Sequence, residues 1–293
     1  MEPAPSLETA YAHCATIAKG HYENFGVASL LLPRGLRPAF YTLYAYCRHT
    51  DDLGDEAKGD RLALLEEWER ELVRVYGGEP TDPIMVALQD VVRRFGIPDE
   101  PFRKLIQANR MDQGRVCFET FDELREYCAH SANPVGRMVL HLLGDTSEVS
   151  GRLSDATCTA LQLANFWQDV KRDHLAGRVY LPREDMNRFG VTEHDLTMPT
   201  ASPAFKTLLR FEVGRAQGLF EEGIALVDRV RGRVKLDIAL FSEGGMRTLQ
   251  AIRECDYDVL AGRPTVPTSR KLWLVLTTGA RLALGGAYDR KDR

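Results

Sequence analysis

One feature limits the possible folds of this chain more than any other: a helical run of apolar residues that ends in a cluster of acidic residues. The apolar positions recur every three or four residues, the spacing of one helix face packed on a core: Leu36, Phe40, Leu43, Tyr44 and Cys47. The run leads into four carboxylates within six residues: Asp51, Asp52, Asp55 and Glu56. Continuing the spacing places Asp51 and Asp55 one turn apart, and we expect both to face the interior.

A second acidic helix repeats this arrangement. Asn165, Asp169 and Asp173 follow one another at four-residue spacing, on a helix that we expect to begin at Ser154 and to stop before Gly177. Both acid sets come at the C-terminal end of a helix, where the macrodipole disfavours negative charge. The two sets therefore predict facing walls of one metal site, and the alternative is a pair of solvated acidic helix ends.

The periodicity elsewhere predicts an all-α protein. Helical spacing dominates the chain, no stretch alternates like a strand, and no linker is long enough to separate domains. We therefore expect a single helical domain over residues 1–293. One long helix is predicted over 121–143, with a kink at Pro134 because proline removes a backbone hydrogen bond.

Composition excludes several classes of function. A net charge of −4 gives no general basic field for nucleic acid. Six scattered cysteines without a C-x-x-C pair argue against a disulfide or zinc framework and favour the cytoplasm. No apolar run approaches the roughly 18 residues of a membrane span. Residues 269–276 are amphipathic, and peripheral contact with the inner membrane through them is the alternative to packing on the core.

The ligand set indicates a hard cation. Aspartates without accompanying His or Cys suit Mg²⁺, which takes one or two carboxylates and completes its shell with water and substrate phosphates. Nearby basic residues are candidates to clamp a diphosphate: Arg48, Lys171, Arg172 and Arg178. A di-iron bundle would need Glu-x-x-His pairs, and no His here has a Glu three residues before it. No Walker loop or Rossmann fingerprint is present.

Three segments make the chain resemble the squalene and phytoene synthase family. The stretch from Tyr46 to Asp55, Y-C-R-H-T-D-D-L-G-D, resembles the first aspartate-rich motif of that family. The stretch from Gln162 to Asp173 resembles the second motif, and Gly177–Pro182 matches the G-R-x-Y-L-P segment that follows it. The resemblance covers approximately residues 10–270. It implies a class I isoprenoid synthase with a central cavity, in which Mg²⁺ bridges a prenyl diphosphate.

The resemblance also implies roles for individual residues. The implied metal ligands are Asp51, Asp55, Asn165, Asp169 and Asp173, and the four aspartates are the catalytic groups because they act through the metal. The implied substrate-binding residues are His21, Arg48, Asp52, His130, Gln162, Gln168, Arg172, Arg178 and Tyr180. The implied partners are a prenyl diphosphate, water, and enzymes before and after it in hopanoid biosynthesis.

Details within the family indicate one branch. Three segments look most like bacterial enzymes that form hydroxysqualene from presqualene diphosphate and water: residues 21–29, 131–136 and 165–168. Squalene and phytoene synthases carry a tyrosine, an arginine and a basic residue where this chain has His130, Gln168 and Glu23. The alternatives are a head-to-head synthase that joins two prenyl diphosphates and a non-catalytic assembly protein of the same fold.

Overall fold

The computed structural model describes residues 5–20, 34–114, 116–230, 232 and 234–283. The first part of the described chain contains α1 (Leu7–Gly20), α2 (Arg37–Asp55), α3 (Arg61–Gly77), α4 (Pro83–Phe95), α5 (Glu100–Met111), β1 (Val116–Cys117), α6 (Phe121–Ser131) and α7 (Asn133–Leu143). The second part contains α8 (Glu148–Leu175), β2 (Arg178–Val179), α9 (Arg183–Phe189), a 3-10 turn (Glu193–Thr197), α10 (Pro203–Gly223), α11 (Leu226–Arg229), α12 (Val234–Glu254) and α13 (Thr268–Ala283). The prediction of an all-α fold is confirmed, with only a two-residue parallel strand pair added.

The chain divides into two compact units. Unit 1 comprises Met1–Gly114 and Pro134–Gly151, and unit 2 comprises Arg115–Asn133 and Arg152–Arg293. Each unit has its own cluster of buried apolar side chains, so each can be described separately. A single domain over the whole chain stays a prediction.

The core of unit 1 fixes the helix that carries the first acidic set. Tyr46 on α2 is fully buried, and its hydroxyl donates to the carbonyl oxygen of Phe102 on α5 at 3.0 Å. One turn further along α2, the hydroxyl of Thr50 accepts a hydrogen bond from Trp68 Nε1 at 2.9 Å. Because these polar atoms have partners inside an apolar core, the rotation of α2 about its axis is well defined.

Unit 2 is built around α8, which delivers the second acidic set. The helix ends at Leu175, and Gly177 follows with φ of +80°, a left-handed conformation in which glycine carries no steric penalty. The predicted stop before Gly177 is confirmed. The chain then turns back so that Arg178 and Val179 pair in parallel with Val116 and Cys117. This pairing holds the segment after α8 close to the helix end.

Two helix boundaries differ from the sequence prediction. Residues 121–143 form two helices that separate at Ala132, rather than one kinked helix. The side chain of Asn133 accepts a hydrogen bond from Thr159 Oγ1 at 2.9 Å, and Pro134 falls in the first turn of α7, where its missing N–H is not needed.

The start of α8 was also predicted wrongly. The helix begins at Glu148, and Ser154 is buried inside it instead of capping it. The start signal is Asp145, whose carboxylate accepts hydrogen bonds from the backbone N–H of Ser147 at 3.1 Å and from the hydroxyl of Ser150 at 2.5 Å. An acid ahead of Ser-rich residues is itself a capping pattern, so this boundary was readable in the sequence.

Helix α13 has both buried and exposed apolar side chains. Leu274 is buried and Trp273 is 60% exposed, while the side chain of Leu272 lies outside the described set. Within the described ranges, no helix combines the length and the apolar character needed to cross a bilayer. Contact with a membrane surface through α13 stays a prediction.

Candidate active site

The first acidic set occupies the last turn of α2. The buried stripe of this helix runs through Phe40, Leu43, Tyr46, Thr50 and Gly54. Asp51 and Asp55 each follow a buried position by one residue, and both are accessible to solvent. The expectation that they face the core is therefore wrong, because the core side of this turn is taken by Thr50 and Gly54. Their placement one turn apart on one helix is as predicted.

An amide from α5 holds the carboxylate of Asp51. Asn109 Nδ2 donates to Asp51 Oδ1 at 3.2 Å, and the Asn109 side chain is itself 6% exposed. Gln113 donates to the carbonyl oxygen of Gly54 at 3.0 Å. A Cβ on Gly54 would overlap the Asn109 side-chain oxygen, so glycine is required for this approach of the two helices.

The surroundings of Asp51 favour its protonated form. Water reaches the side chain, but the protein around it removes much of its hydration, and the nearby charge of Asp55 adds repulsion. Together these effects raise the pKa of Asp51 to about 6, against a smaller opposing effect of the Asn109 hydrogen bond. A cation bound beside this carboxylate would relieve the repulsion from Asp55 and stabilise the ionised form of Asp51.

Arg48 serves as the counter-ion of this set. Its Nη2 lies 2.5 Å from Asp52 and 2.7 Å from Glu56, on the same helix end. Asp52 and Arg48 were both predicted to bind substrate, and the structure brings them together as an ion pair. A diphosphate that binds Arg48 must therefore compete with two carboxylates.

The second acidic set lies along the last three turns of α8. Asn165 is exposed, and Asp169 and Asp173 are half-buried. Loss of hydration and repulsion from Asp169 raise the pKa of Asp173 to about 7. The positive charges of Arg178, Arg172 and Arg263 act in the opposite direction, so these guanidinium groups lie near the carboxylate. The second motif and the G-R-x-Y-L-P segment therefore meet at Asp173.

An aromatic cluster joins that segment to α8. The rings of Phe166 and Tyr180 stack with centroids 3.6 Å apart and an angle of 8° between their planes. Tyr127 and Phe118 lie against Tyr180 at 5.9 Å and 6.1 Å. Tyr180, predicted to bind substrate, is buried within this cluster, with 7% of the residue exposed. The stack fixes β2 on α8 and so places Arg178 beside Asp173.

Arg263 contacts the second acidic set directly, although it was not among the residues predicted from the sequence. Its Nε donates to Asp169 Oδ1 at 2.6 Å and its Nη2 to Asp169 Oδ2 at 2.9 Å. The same Nη2 donates to the amide oxygen of Gln168 at 2.9 Å. Asp169 and Arg263 are 94 positions apart, and no local pattern relates them.

The remaining predicted residues have varied surroundings. Lys171 does not extend into solvent, because its amine donates to the carbonyl oxygen of Leu260 at 2.8 Å. His130 Nδ1 lies 2.9 Å from the carbonyl oxygen of Glu126 on its own helix. Gln162 is half-buried and Arg172 exposed, both on α8. His21, together with Glu23, lies outside the described residues.

Comparison with known proteins identifies the family. A family model described as squalene/phytoene synthase matches residues 18–270. The chain belongs to this family. The chain is 34% identical to a 15-cis-phytoene synthase of Synechococcus elongatus over 91% of each chain.

Solved structures agree with this assignment. A squalene synthase HpnC of Alicyclobacillus acidocaldarius is 46% identical, with a TM-score of 0.83 over 86% of this chain and 95% of that one. A dehydrosqualene synthase in complex with a ligand is 28% identical, with a TM-score of 0.87 over 95% of this chain and 98% of that one. The fold is therefore that of the helical isoprenoid synthases, a class of enzymes that process prenyl diphosphates.

Members of the squalene/phytoene synthase family commonly use divalent metals, and the residues of both motifs fit such an ion. Each set offers hard oxygen donors, and one carboxyl in each has its pKa raised by burial and by a like charge nearby. No three His, Cys, Asp or Glu side chains converge in the part of the chain that is described. A shared site between the two sets stays a prediction.

Proposed function

We propose that this chain is a hydroxysqualene synthase, which converts presqualene diphosphate and water into hydroxysqualene and diphosphate. The family assignment establishes the handling of prenyl diphosphates, and the proposal concerns which reaction is carried out. In this reaction the carbon–oxygen bond to diphosphate breaks, and both bonding electrons leave with the diphosphate. A water oxygen then bonds to the rearranged carbon skeleton and loses a proton, so no oxidant or reductant is needed.

The observation that carries the proposal is that Gln168 is buried and hydrogen-bonded through both of its polar atoms. The resemblance implies that squalene and phytoene synthases have an arginine at this position, which adds a cation beside the second motif. Here the Gln168 side chain is 7% exposed, and its two polar atoms are engaged by Arg263 and by the carbonyl oxygen of Pro264. Gln168 therefore adds no positive charge for a second diphosphate, which supports a substrate with one diphosphate.

His130 supports the same reading. The phenol found at this position in squalene and phytoene synthases is replaced by an imidazole that is bonded to its own helix. The resemblance associates the tyrosine at this position with the first half-reaction, and both it and the arginine at position 168 are changed here. The aspartates and Asn165 of the two motifs are retained. The chain accordingly keeps the groups for ionising a diphosphate while lacking those for coupling two of them.

Mg²⁺ is the metal we propose, held by Asp51, Asp55, Asn165, Asp169 and Asp173. When bound, it supplies positive charge that stabilises the departing diphosphate. The aspartates provide hard oxygen ligands, and Asn109 keeps the Asp51 carboxylate in place. Arg178 adds positive charge beside Asp173, where Tyr180 holds it through the aromatic stack.

A second candidate is a synthase that couples two prenyl diphosphates, because relatives named phytoene synthase match along most of the chain. Product analysis separates the two. Purified protein with Mg²⁺ is incubated in parallel with presqualene diphosphate, with farnesyl diphosphate and with geranylgeranyl diphosphate. We expect consumption of presqualene diphosphate alone. Rapid coupling of either prenyl diphosphate, with presqualene diphosphate left intact, would favour the second candidate.

A further inference from the structure

Arg263 makes an unusually complete set of contacts with one acidic residue. Two different nitrogens of the guanidinium group donate to the two different oxygens of Asp169, at 2.6 Å and 2.9 Å. This two-point geometry is the strongest form of an arginine–carboxylate pair. The Asp169 side chain is 15% exposed and that of Arg263 is 48% exposed, so solvent is open to the arginine but largely excluded from the acid.

Arg263 lies on the loop of residues 255–267, between α12 and α13, and this loop is hydrogen-bonded to α8 at two points. Gln168 donates from its amide nitrogen to the carbonyl oxygen of Pro264, directly after Arg263. Lys171 donates to the carbonyl oxygen of Leu260, three residues before it. Both anchors lie on α8, on either side of Asp169 in the sequence. The position of Arg263 over Asp169 is therefore set by α8 itself.

The start of the same loop is held in an unfavourable backbone conformation. Asp256 and Tyr257 have φ of 51° and 59°, the left-handed region that non-glycine residues rarely adopt. The side chain of Asp258 accepts hydrogen bonds from the backbone N–H groups of Ala201 at 2.8 Å and Ala261 at 3.1 Å. Such strained residues persist only where surrounding contacts determine them. The loop is thus built to hold one shape, with Arg263 on its exposed side.

We propose that Arg263, positioned by Gln168, is a counter-ion latch that occupies Asp169 until a divalent cation displaces it. Both carboxylate oxygens of Asp169 are engaged by the guanidinium group, so a metal ion must break at least one of these bonds before it can coordinate Asp169. The inference rests on the proposed function, because it assumes that Asp169 is a metal ligand. Gln168 is in this account a positioning residue, since it acts on Asp169 only through Arg263.

The latch should lower the affinity of the substrate-free protein for a divalent cation by a measurable amount. Removing Arg263 should make a divalent cation bind more tightly to the substrate-free protein, by a factor on the order of three to ten, because a partly exposed ion pair is screened by solvent. Replacing Gln168 leaves the charge of Arg263 in place and removes both contacts that position it, the hydrogen bond to Arg263 and the anchor to Pro264. A tighter metal site in that variant cannot arise from the loss of a positive charge, so it reports on the latch itself.

The proposal is tested by titrating the full, substrate-free chain with Mn²⁺. Binding is measured by calorimetry and by the electron paramagnetic resonance signal of free Mn²⁺. The variants are Arg263→Gln and Gln168→Met, with Arg270→Gln as the matched control that removes a cation paired with Glu254 instead. We expect tighter Mn²⁺ binding in the first two and unchanged binding in the control. Thermal unfolding of each protein checks that the fold is retained.

A double-mutant cycle with Asp169→Asn locates the effect. In the Asp169→Asn background, Arg263→Gln should raise Mn²⁺ affinity by clearly less than in the wild-type background, because only the long-range charge effect of Arg263 on Asp173 remains. Equal affinities of wild type and Arg263→Gln, or an effect of undiminished size in the Asp169→Asn background, would overturn the latch. If turnover of the wild-type enzyme still requires Mg²⁺, only the latch has failed. Turnover without any divalent cation would overturn the metal role in the proposed function.

Discussion

At the scale of single residues, Gly54 and Asn109 decide where the Asp51 carboxylate lies. Gly54 gives room for the Asn109 amide, which in turn donates to Asp51. In Gly54→Ala the added Cβ would collide with the Asn109 side chain, so the two helices or the amide must move. We expect a loss of about 1–3 kcal/mol in the free energy of unfolding, typical of overpacking. Chemical denaturation measures this loss.

The control for this change is a helical glycine with open space around it. Gly214 lies on the exposed side of α10, and no atom comes within 4 Å of a Cβ built there. Gly214→Ala should leave stability unchanged or raise it by up to about 1 kcal/mol, the helix propensity difference. If Gly54→Ala is as stable as Gly214→Ala, the close contact with Asn109 does not exist in solution.

The site residues that were predicted from the sequence differ from those that were not in how far apart along the chain the relevant residues lie. Asp51, Asp55, Asp169 and Asp173 were predicted as site residues because four-residue spacing along one helix is visible in the sequence. Asn109 and Arg263 contact these acids from 58 and 94 positions away, and tertiary packing alone brings them near. Asn109 did leave a signal, an amide on an otherwise apolar face of α5, together with Phe102, Leu105 and Ile106. Arg263 left none.

At the scale of secondary-structure elements, a buried charge cluster joins α9 to α10. Arg215 pairs with Asp185 and lies 3.2 Å from Glu212, and both acids are almost fully buried. Its guanidinium carbon also lies 4.2 Å from the ring centre of Phe121 and 4.3 Å from that of Phe211. One guanidinium group thus contacts two buried acids. Burial, with the charge of Asp185 adding to it, raises the pKa of Glu212 to about 8.

This pKa predicts a pH-dependent stability. The folded state holds a proton on Glu212 that the unfolded chain releases near the ordinary glutamate pKa of about 4.3. The folded state therefore binds more protons, and stability from this group falls as the pH rises from about 4.3 towards 8. Glu212→Gln removes that proton exchange, so its free energy of unfolding should decline less between pH 5 and pH 8 than that of wild type.

Denaturation midpoints at several pH values, compared between wild type and variant, measure this difference. Other carboxyls with raised pKa values, such as Asp237, are present in both proteins and cancel in the comparison. Glu222→Gln, an exposed change on the same helix, should keep the wild-type slope. Parallel slopes for Glu212→Gln and wild type would show that Glu212 is ionised in the folded protein throughout this range.

Helix positions were predictable and helix ends were less so. The apolar spacing located α2, α4 and α8 because each must bury one face. The break at Ala132 was not foreseen, since it depends on a hydrogen bond between Asn133 and Thr159 on another helix. The buried face of α2 was also predicted one residue away from where it lies, so Asp51 and Asp55 were expected inside the core in place of Thr50 and Gly54. A helical repeat of 3.6 residues leaves that choice to tertiary contacts.

At the scale of the whole molecule, the account requires both acidic helices for a single reaction. Asp51→Asn and Asp169→Asn each keep the size of the side chain while removing a charged metal ligand. We expect each to lower turnover on the order of 10²- to 10³-fold, the range seen when one preorganised electrostatic group is lost. Steady-state rates at saturating Mg²⁺ measure this, and circular dichroism checks that helicity is intact.

Asp122→Asn is the matched control, because this aspartate is 91% exposed on α6 and belongs to neither acidic motif. Its turnover should equal that of wild type. Near-normal activity in either motif variant would contradict a reaction that depends on both helices. A loss in only one of them would assign the metal to that helix alone.

The central claim is that water, and not hydride or a second prenyl group, ends the reaction. The direct measurement is incubation of the purified protein with presqualene diphosphate and Mg²⁺ in H₂¹⁸O, without any nicotinamide, followed by mass spectrometry of the product. The account predicts a C30 alcohol that carries ¹⁸O in its hydroxyl group. An oxygen-free hydrocarbon that forms only when NADPH is added, or presqualene diphosphate left unconsumed, would contradict it.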